Sequence, residues 1–211
     1  MGEIEYVTLD AADASAARRF YAEAFGLDDR SQVRVREAGA ESSGFRGFTL
    51  SLTVAQPSVV DSYVRSALDA GATVLKPAAK SLWGYGCVVQ APDGAIWNLA
   101  TSAKKDAGPV ERRFDALVLL LGVADVPASR RFYTGQGFTV GKSFARMYVE
   151  FEAGDSPVKL GLYRRRALAK SAGVPAEGSG SHGITIAGDA GAATDPDGFA
   201  WEAAAPAASA S

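Results

Sequence analysis

The sequence predicts an α+β fold built as two copies of one module, and two recurring motifs, each copy of the first preceded by a β-rich run, carry that prediction. The first motif, Asp13-Ala14-Ser15-Ala16-Ala17-Arg18-Arg19-Phe20-Tyr21, returns as Asp125-Val126-Pro127-Ala128-Ser129-Arg130-Arg131-Phe132-Tyr133, and both copies read D-x4-R-R-F-Y. The second, Pro92-Asp93-Gly94-Ala95-Ile96-Trp97-Asn98, is matched by Pro196-Asp197-Gly198-Phe199-Ala200-Trp201-Glu202. A β-rich run, residues 4–9 or 116–121, stands before each first motif, and a glycine, Gly26 or Gly137, stands after it. Self-similarity on this scale marks each half as one structural unit.

The elements follow from local chemistry. Asp13 and Asp125 stand where strand gives way to helix, and an aspartate there accepts a hydrogen bond from a free first-turn amide. Pro127 sits just inside the second helix, where its missing N–H costs nothing. Phe20 and Ala16 share one helical face, with Arg18 and Arg19 turned to solvent. Gly26 and Gly137 supply the left-handed residue that ends each helix. A further helix is predicted over 57–70, opened by Gln56-Pro57-Ser58 and closed by Gly71. The Pro-Asp-Gly segments read as turns between adjacent strands. The first half is therefore β-α-β-β-α-β, then a hairpin and a last strand.

The second half has no counterpart of the 57–70 helix. Between Tyr163 and Asp195 come the run Arg164-Arg165-Arg166, read as a solvated loop or helix start, the stretch Gly178-Ser179-Gly180-Ser181, and a strand over 183–187. Residues 1–102 form the first domain, the polar Gly-Pro-containing segment 103–111 the linker, and 112–203 a shortened second domain. The Ala/Ser/Pro tail 204–211 is expected to be disordered.

Composition narrows the function. The chain has 211 residues, 47% apolar and 22% charged, with a formal net charge of −2. That length supports a sizeable core, and the near-neutral balance offers no long-range attraction to nucleic acid or an acidic membrane. Cys87 is the single cysteine, so no intrachain disulfide or thiolate cluster forms, and a reducing cytoplasm is expected. The N-terminal residues lack the basic and apolar regions of a signal peptide, and no apolar run reaches the ~20 residues a bilayer requires.

The strand, the aspartate, the helix ending in Phe-Tyr and the later Asp195-Pro196-Asp197-Gly198-Phe199-Ala200-Trp201-Glu202 resemble the vicinal oxygen chelate superfamily. Glyoxalase I, the bleomycin-resistance proteins and the extradiol dioxygenases belong to it. Ala91-Pro92-Asp93-Gly94-Ala95-Ile96-Trp97-Asn98 is a looser copy of the same signature. The resemblance covers residues 4–102 and 114–203. It implies tandem βαβββ modules curled around a half-open cleft for ligand or metal, with the second copy shortened by loss of a helix. One fold of this kind hosts many chemistries.

In the family's enzymes His and Glu from the first and last strands hold one divalent metal. Carried onto this chain, the first-strand position falls on Tyr6 and on Val118, and the start of the next module on Thr49 and on His182. The last-strand carboxylate falls on Asn98 and on Glu202, and the remaining position on Glu37 and on Gly161. Imidazole and carboxylate suit Zn, Ni, Fe or Mn. Tyr6, Thr49 and Asn98 make a poor metal site, and a single histidine cannot build the two-histidine site of a typical glyoxalase I. No metal cofactor is therefore favoured. The alternative is a set of His182, Glu202 and Glu37, assembled if modules pair across the halves. The plain readings are a hydrogen-bonded surface group for His182 and a carboxylate satisfied by backbone or water for Glu202.

Side chains alternate along a strand, so if Asn98 and Glu202 face the cleft, Trp97 and Trp201 face the core. Trp83 and Tyr85 lie in a glycine-broken loop of the kind that borders a pocket mouth. Arg46, Tyr148 and Arg146, at strand positions, are further polar candidates to enter the cleft. Cys87 lacks the basic neighbours of a nucleophile and reads as a small buried residue. The favoured function is binding of a small organic ligand, aromatic or antibiotic-like, in the manner of the drug-sequestering members, with Tyr6, Thr49, Trp83, Tyr85 and Asn98 contacting it. Two alternatives stay open. One is a lyase or dioxygenase using a metal on His182 and Glu202, or Glu202 alone as base. The other is a regulatory module that has lost its cleft. The expected partner is a small molecule, with no nucleic acid and no membrane, and the chain is a monomer with paired halves or a homodimer.

Overall fold

The computed structural model describes residues 2–28 and 30–204, so most of the predicted tail lies outside the described residues. The first half runs β1 (Ile4–Ala11), α1 (Ala14–Phe25), β2 (Val33–Glu37), β3 (Ser42–Gly44), β4 (Phe48–Thr53), α2 (Pro57–Asp69), β5 (Thr73–Ser81), β6 (Gly84–Gln90) and β7 (Ile96–Thr101). The second runs β8 (Ala116–Val123), α3 (Val126–Gly135), β9 (Val140–Phe144), β10 (Tyr148–Phe151), β11 (Val158–Arg164), α4 (Arg165–Ala172), β12 (Gly178–Gly180), β13 (Ile184–Gly188), β14 (Ala193–Thr194) and β15 (Ala200–Ala203). None of the described helices is long and apolar enough to cross a membrane.

The two larger sheets each take strands from both halves. The eight-stranded sheet has the order β5-β6-β7-β4-β8-β11-β10-β9, and the five-stranded one β14-β15-β13-β1-β2. They share one plan. In the larger sheet β4 and β8 pair antiparallel at the centre, Leu50 opposite Leu119, flanked by parallel partners β7 and β11. In the smaller sheet β13 and β1 play those parts, Ile186 opposite Val7, flanked by β15 and β2. The smaller sheet lacks counterparts of β5, β9 and β10.

The helix missing from the second half is replaced by a short turn between β13 and β14. Two features were not foreseen. The first half also lacks two strands, because β2 follows α1 directly and pairs at once with β1. The arginine run, read as a solvated loop or helix start, does open a helix, α4, but one with a buried face of Leu168, Ala169 and Ala172, which Gly173 ends in the left-handed conformation at φ 82°. Leucine and alanine favour that helix and glycine alone takes the final turn without strain.

The two sequence motifs of each half meet in space. Asp13 Oδ1 accepts the amide of Ala16 at 2.8 Å, and Asp125 Oδ1 that of Ala128 at 3.2 Å, starting α1 and α3. The buried Tyr21 hydroxyl donates to Asp93 at 2.7 Å, and the Tyr133 hydroxyl to Asp195 at 2.6 Å. Tyr21 packs on Trp97 and Tyr133 on Trp201, with ring centroids 5.6 and 5.7 Å apart. Both tryptophans lie in one core shared by the inner faces of the two sheets, as strand alternation predicts. Since α1 follows β1 of one sheet and reaches a turn of the other, the helix–turn bond fastens the sheets together.

Candidate functional site

The face of the eight-stranded sheet turned away from the core carries Asn98, Ser51 and Val118 in one row, and Thr49, Leu120 and Gly161 in the next. The half-open cleft that the family resemblance implies would lie in this trough. Here the chain fills part of it. Leu168, Ala169 and Ala172 of α4 pack with Phe45, Val88 and Ile96, and Leu120 and Tyr163 lean on the same cluster. Arg165 anchors the helix start by donating to the carbonyls of Phe45 at 2.6 Å and Ala176 at 3.1 Å. Lys76 Nζ donates to the Lys170 carbonyl at 2.8 Å and fastens the other end. Gly122 permits the close approach, because a Cβ there would stand 3.2 Å from Arg165 Cα and 2.8 Å from the Gly47 carbonyl. Thr49 is buried beneath this layer and Asn98 half-buried at its side.

Trp83 and Tyr85 do not border the trough. Trp83 is 83% exposed at the tip of the β5–β6 hairpin. Tyr85 shares a strand face with Cys87, the face that looks toward α2, and donates its hydroxyl to Asp61 at 2.7 Å. Asp61, by accepting that bond, is the first cause that pushes the Tyr85 hydroxyl up to about 12. A glycine-broken loop is as compatible with a hairpin tip as with a pocket rim, and alternation puts Tyr85 on the helix side. Burial pushes the Cys87 thiol up as well, so no reactive thiolate stands here.

The outer face of the five-stranded sheet is polar and is where Tyr6 and Glu202 lie. Tyr6, Ala187 and Glu202 form one row, and Arg34, Thr8 and Thr185 the next. The Arg34 guanidinium lies on the Tyr6 ring, 3.4 Å from its centroid, and Arg34 Nε is buried without a hydrogen-bond partner. Arg36 pairs with Asp10 at 2.6 Å and donates to Thr185 Oγ1 at 2.7 Å. Sequence reasoning passed over both arginines. The signal was present in Val33-Arg34-Val35-Arg36, where alternation sends the valines to the core and the arginines outward.

The metal alternative is not assembled. His182 Nδ1 lies 2.6 Å from the carbonyl of Arg46 and Nε2 3.0 Å from that of Asp197, and the ring stacks on Phe199 at 3.9 Å. Carbonyls only accept, so neither ring nitrogen turns a lone pair toward a cation. Glu202 pairs with Ala187, well along β13 from His182, and Glu37 Oε1 accepts the Ala14 amide at 3.3 Å. Among the described residues no three His, Cys, Asp or Glu side chains are placed to hold a metal ion. The donor set does not fit one. Arg46 belongs to the same knot: it donates to the carbonyls of His182 at 2.9 Å, Asp93 at 3.1 Å, Asp10 at 3.3 Å and also Gly183.

Paired modules that share their sheets in this way define the vicinal oxygen chelate fold, and the chain has that fold. No family model and no curated protein sequence matches it. Among solved structures, glyoxalase I from Zea mays superposes with a TM-score of 0.61 at 14% identity, covering 95% of this chain and 91% of that one. A putative dioxygenase from Bacillus subtilis subsp. subtilis str. 168 superposes with a TM-score of 0.56 at 12% identity, covering 92% and 71%. Likeness at these identities speaks for the fold, and the chemistry rests on the residues above.

Proposed function

We propose that the protein binds a small anionic organic molecule, without a metal ion, on the outer face of the five-stranded sheet. The observation that carries this reading is Arg34, a guanidinium preoriented on Tyr6 whose buried Nε has no partner. An unpaired buried donor costs about 1–3 kcal/mol, and a guanidinium that shifts to pair with an incoming carboxylate or phosphate recovers that cost. Thr8, Thr185 and the Tyr6 hydroxyl stand in the same rows to orient the ligand. Glu202 on the row's far side selects against ligands with a second negative end. The protein acts as a monomer in the reducing cytoplasm on this reading.

A thermal-shift and calorimetric series of small aromatic carboxylates and organic phosphates tests it. At least one should raise Tm and lose affinity at least about tenfold in Arg34→Ala, with Arg34→Lys intermediate because lysine lacks the planar fork. No shift with any anion, or equal shifts in Arg34→Ala, would refute the reading. Stoichiometric metal in the purified protein, lost on His182→Ala, would overturn its metal-free part. A second reading, a module retained for interaction after its cleft was closed, is favoured by α4 lying in the trough of the larger sheet.

A further inference from the structure

A row of positive charge on the second half is used by neither sheet face. Three adjoining depressions run from the start of α4 past the β9–β10 turn to α3, with volumes of about 490, 290 and 380 Å³. Six arginines line them; Arg165, in the first, is engaged by the carbonyls of Phe45 and Ala176, which leaves five: Arg164 and Arg166 in the first, Arg146 in the second, Arg130 and Arg131 in the third. All five are exposed. The ion pairs among the described residues are Arg36 with Asp10 and Lys142 with Glu150, so none of the five is neutralised by a described carboxylate. Asp125, which also lines the groove, turns one oxygen to the first turn of α3. The chain as a whole is negative at −2, so this is a local concentration and not a generally basic surface.

Two apolar side chains accompany the charge. Phe144 is 71% exposed and Met147 41%. They flank Ala145, which holds φ at 50° although it is not glycine. That left-handed turn is pinned where the Met147 amide donates to the Phe144 carbonyl at 3.2 Å and the Arg164 amide to the Met147 carbonyl at 3.1 Å. The strain is retained where it sets Arg146 and Met147 into the groove wall, with Phe144 exposed on the same turn.

We propose that this groove docks an acidic peptide segment of a partner protein, one that carries large apolar residues between its carboxylates. Guanidinium forks pair bidentately with carboxylates, and the exposed ring and thioether receive the apolar side chains. A nucleic acid fits less well, since a single exposed ring is not a series of stacking platforms and the chain's pI is about 5.5. The inference is independent of the Arg34 face.

Fluorescence polarisation tests it with a labelled peptide alternating glutamate and leucine, its glutamine counterpart, and a labelled single-stranded DNA. The acidic peptide should bind saturably and more weakly as salt rises. The double change Arg146→Glu with Arg164→Glu should weaken it at least about tenfold with the melting curve unchanged. Arg130→Gln with Arg131→Gln, which reverses no charge, should weaken it in the same direction, and Arg34→Ala should leave it unaltered. Equal binding of the glutamine peptide, binding untouched by either arginine pair, or DNA that binds where the peptide does not would each overturn the proposal.

Discussion

Arg46 directs its guanidinium at four backbone carbonyls, those of Asp10, Asp93, His182 and Gly183, which belong to strands and turns of both sheets. Its removal leaves several buried acceptors unpaired at once. Arg46→Ala should therefore lose about 3 kcal/mol in urea denaturation, and Arg46→Lys should recover only part, since one ammonium cannot span the four. The buried tyrosines make the other residue-scale prediction. Burial first, and then the neighbouring aspartate, raises the hydroxyls of Tyr21 and Tyr133 well above their ordinary 10.0. A raised acid keeps its proton in the folded chain after the unfolded chain has released it. The stability it contributes is full below pH 10 and is lost as pH rises above that value. Denaturation midpoints between pH 8 and 11 should fall above about pH 10, and Tyr133→Phe should flatten the fall while lowering stability throughout. Neither residue's partner could be read in advance: the tyrosine recurs, but Tyr21 binds Asp93 inside the Pro-Asp-Gly turn whereas Tyr133 binds Asp195, which stands just before it and has Ala91 as its counterpart.

Among the elements, α4 departs furthest from expectation. Its arginines read as a solvated start, and its apolar positions, Leu168, Ala169 and Ala172, are too few to announce a buried face without the trough they enter. Leu168→Ala should cost about 2–4 kcal/mol, because the helix rests on one large side chain, and should increase binding of an apolar dye to the uncovered trough. An unchanged melting curve would show that α4 does not hold its seat through Leu168. The β9–β10 turn invites the opposite experiment. Ala145→Gly removes a Cβ held at φ 50° and should stabilise the protein by up to about 1 kcal/mol in the same denaturation assay. By contrast α1, α2 and α3 were legible, since each has a cap or proline at its start and an apolar face of ordinary period.

At the scale of the molecule, the halves interlock. β4 completes its pairing on β8 and β1 on β13, so residues 1–102 alone would expose the centre strand edges of both sheets. That fragment should aggregate or lack a cooperative melt in circular dichroism, and co-expression with 112–204 should restore a soluble complex. The linker is built into the same frame. Gln56 receives the Ala107 amide at 2.8 Å and donates to the Gly108 carbonyl at 2.9 Å, so the polar Gly-Pro segment read as the linker lies bound against the start of α2.

By itself the sequence determined the doubled α+β scaffold, its helix starts, its Pro-Asp-Gly turns, the core tryptophans and the missing helix of the second half. These are written in period and in capping residues, which act over a few positions. The tertiary structure decided which face each half leaves open. It put α4 in one trough, turned Tyr85 toward α2, engaged His182 with two carbonyls and set Arg34 on Tyr6. Each of these contacts joins residues at least 15 positions apart in the chain, and all depend on strand register. Register is fixed by the assembled core and not by any local run of residues.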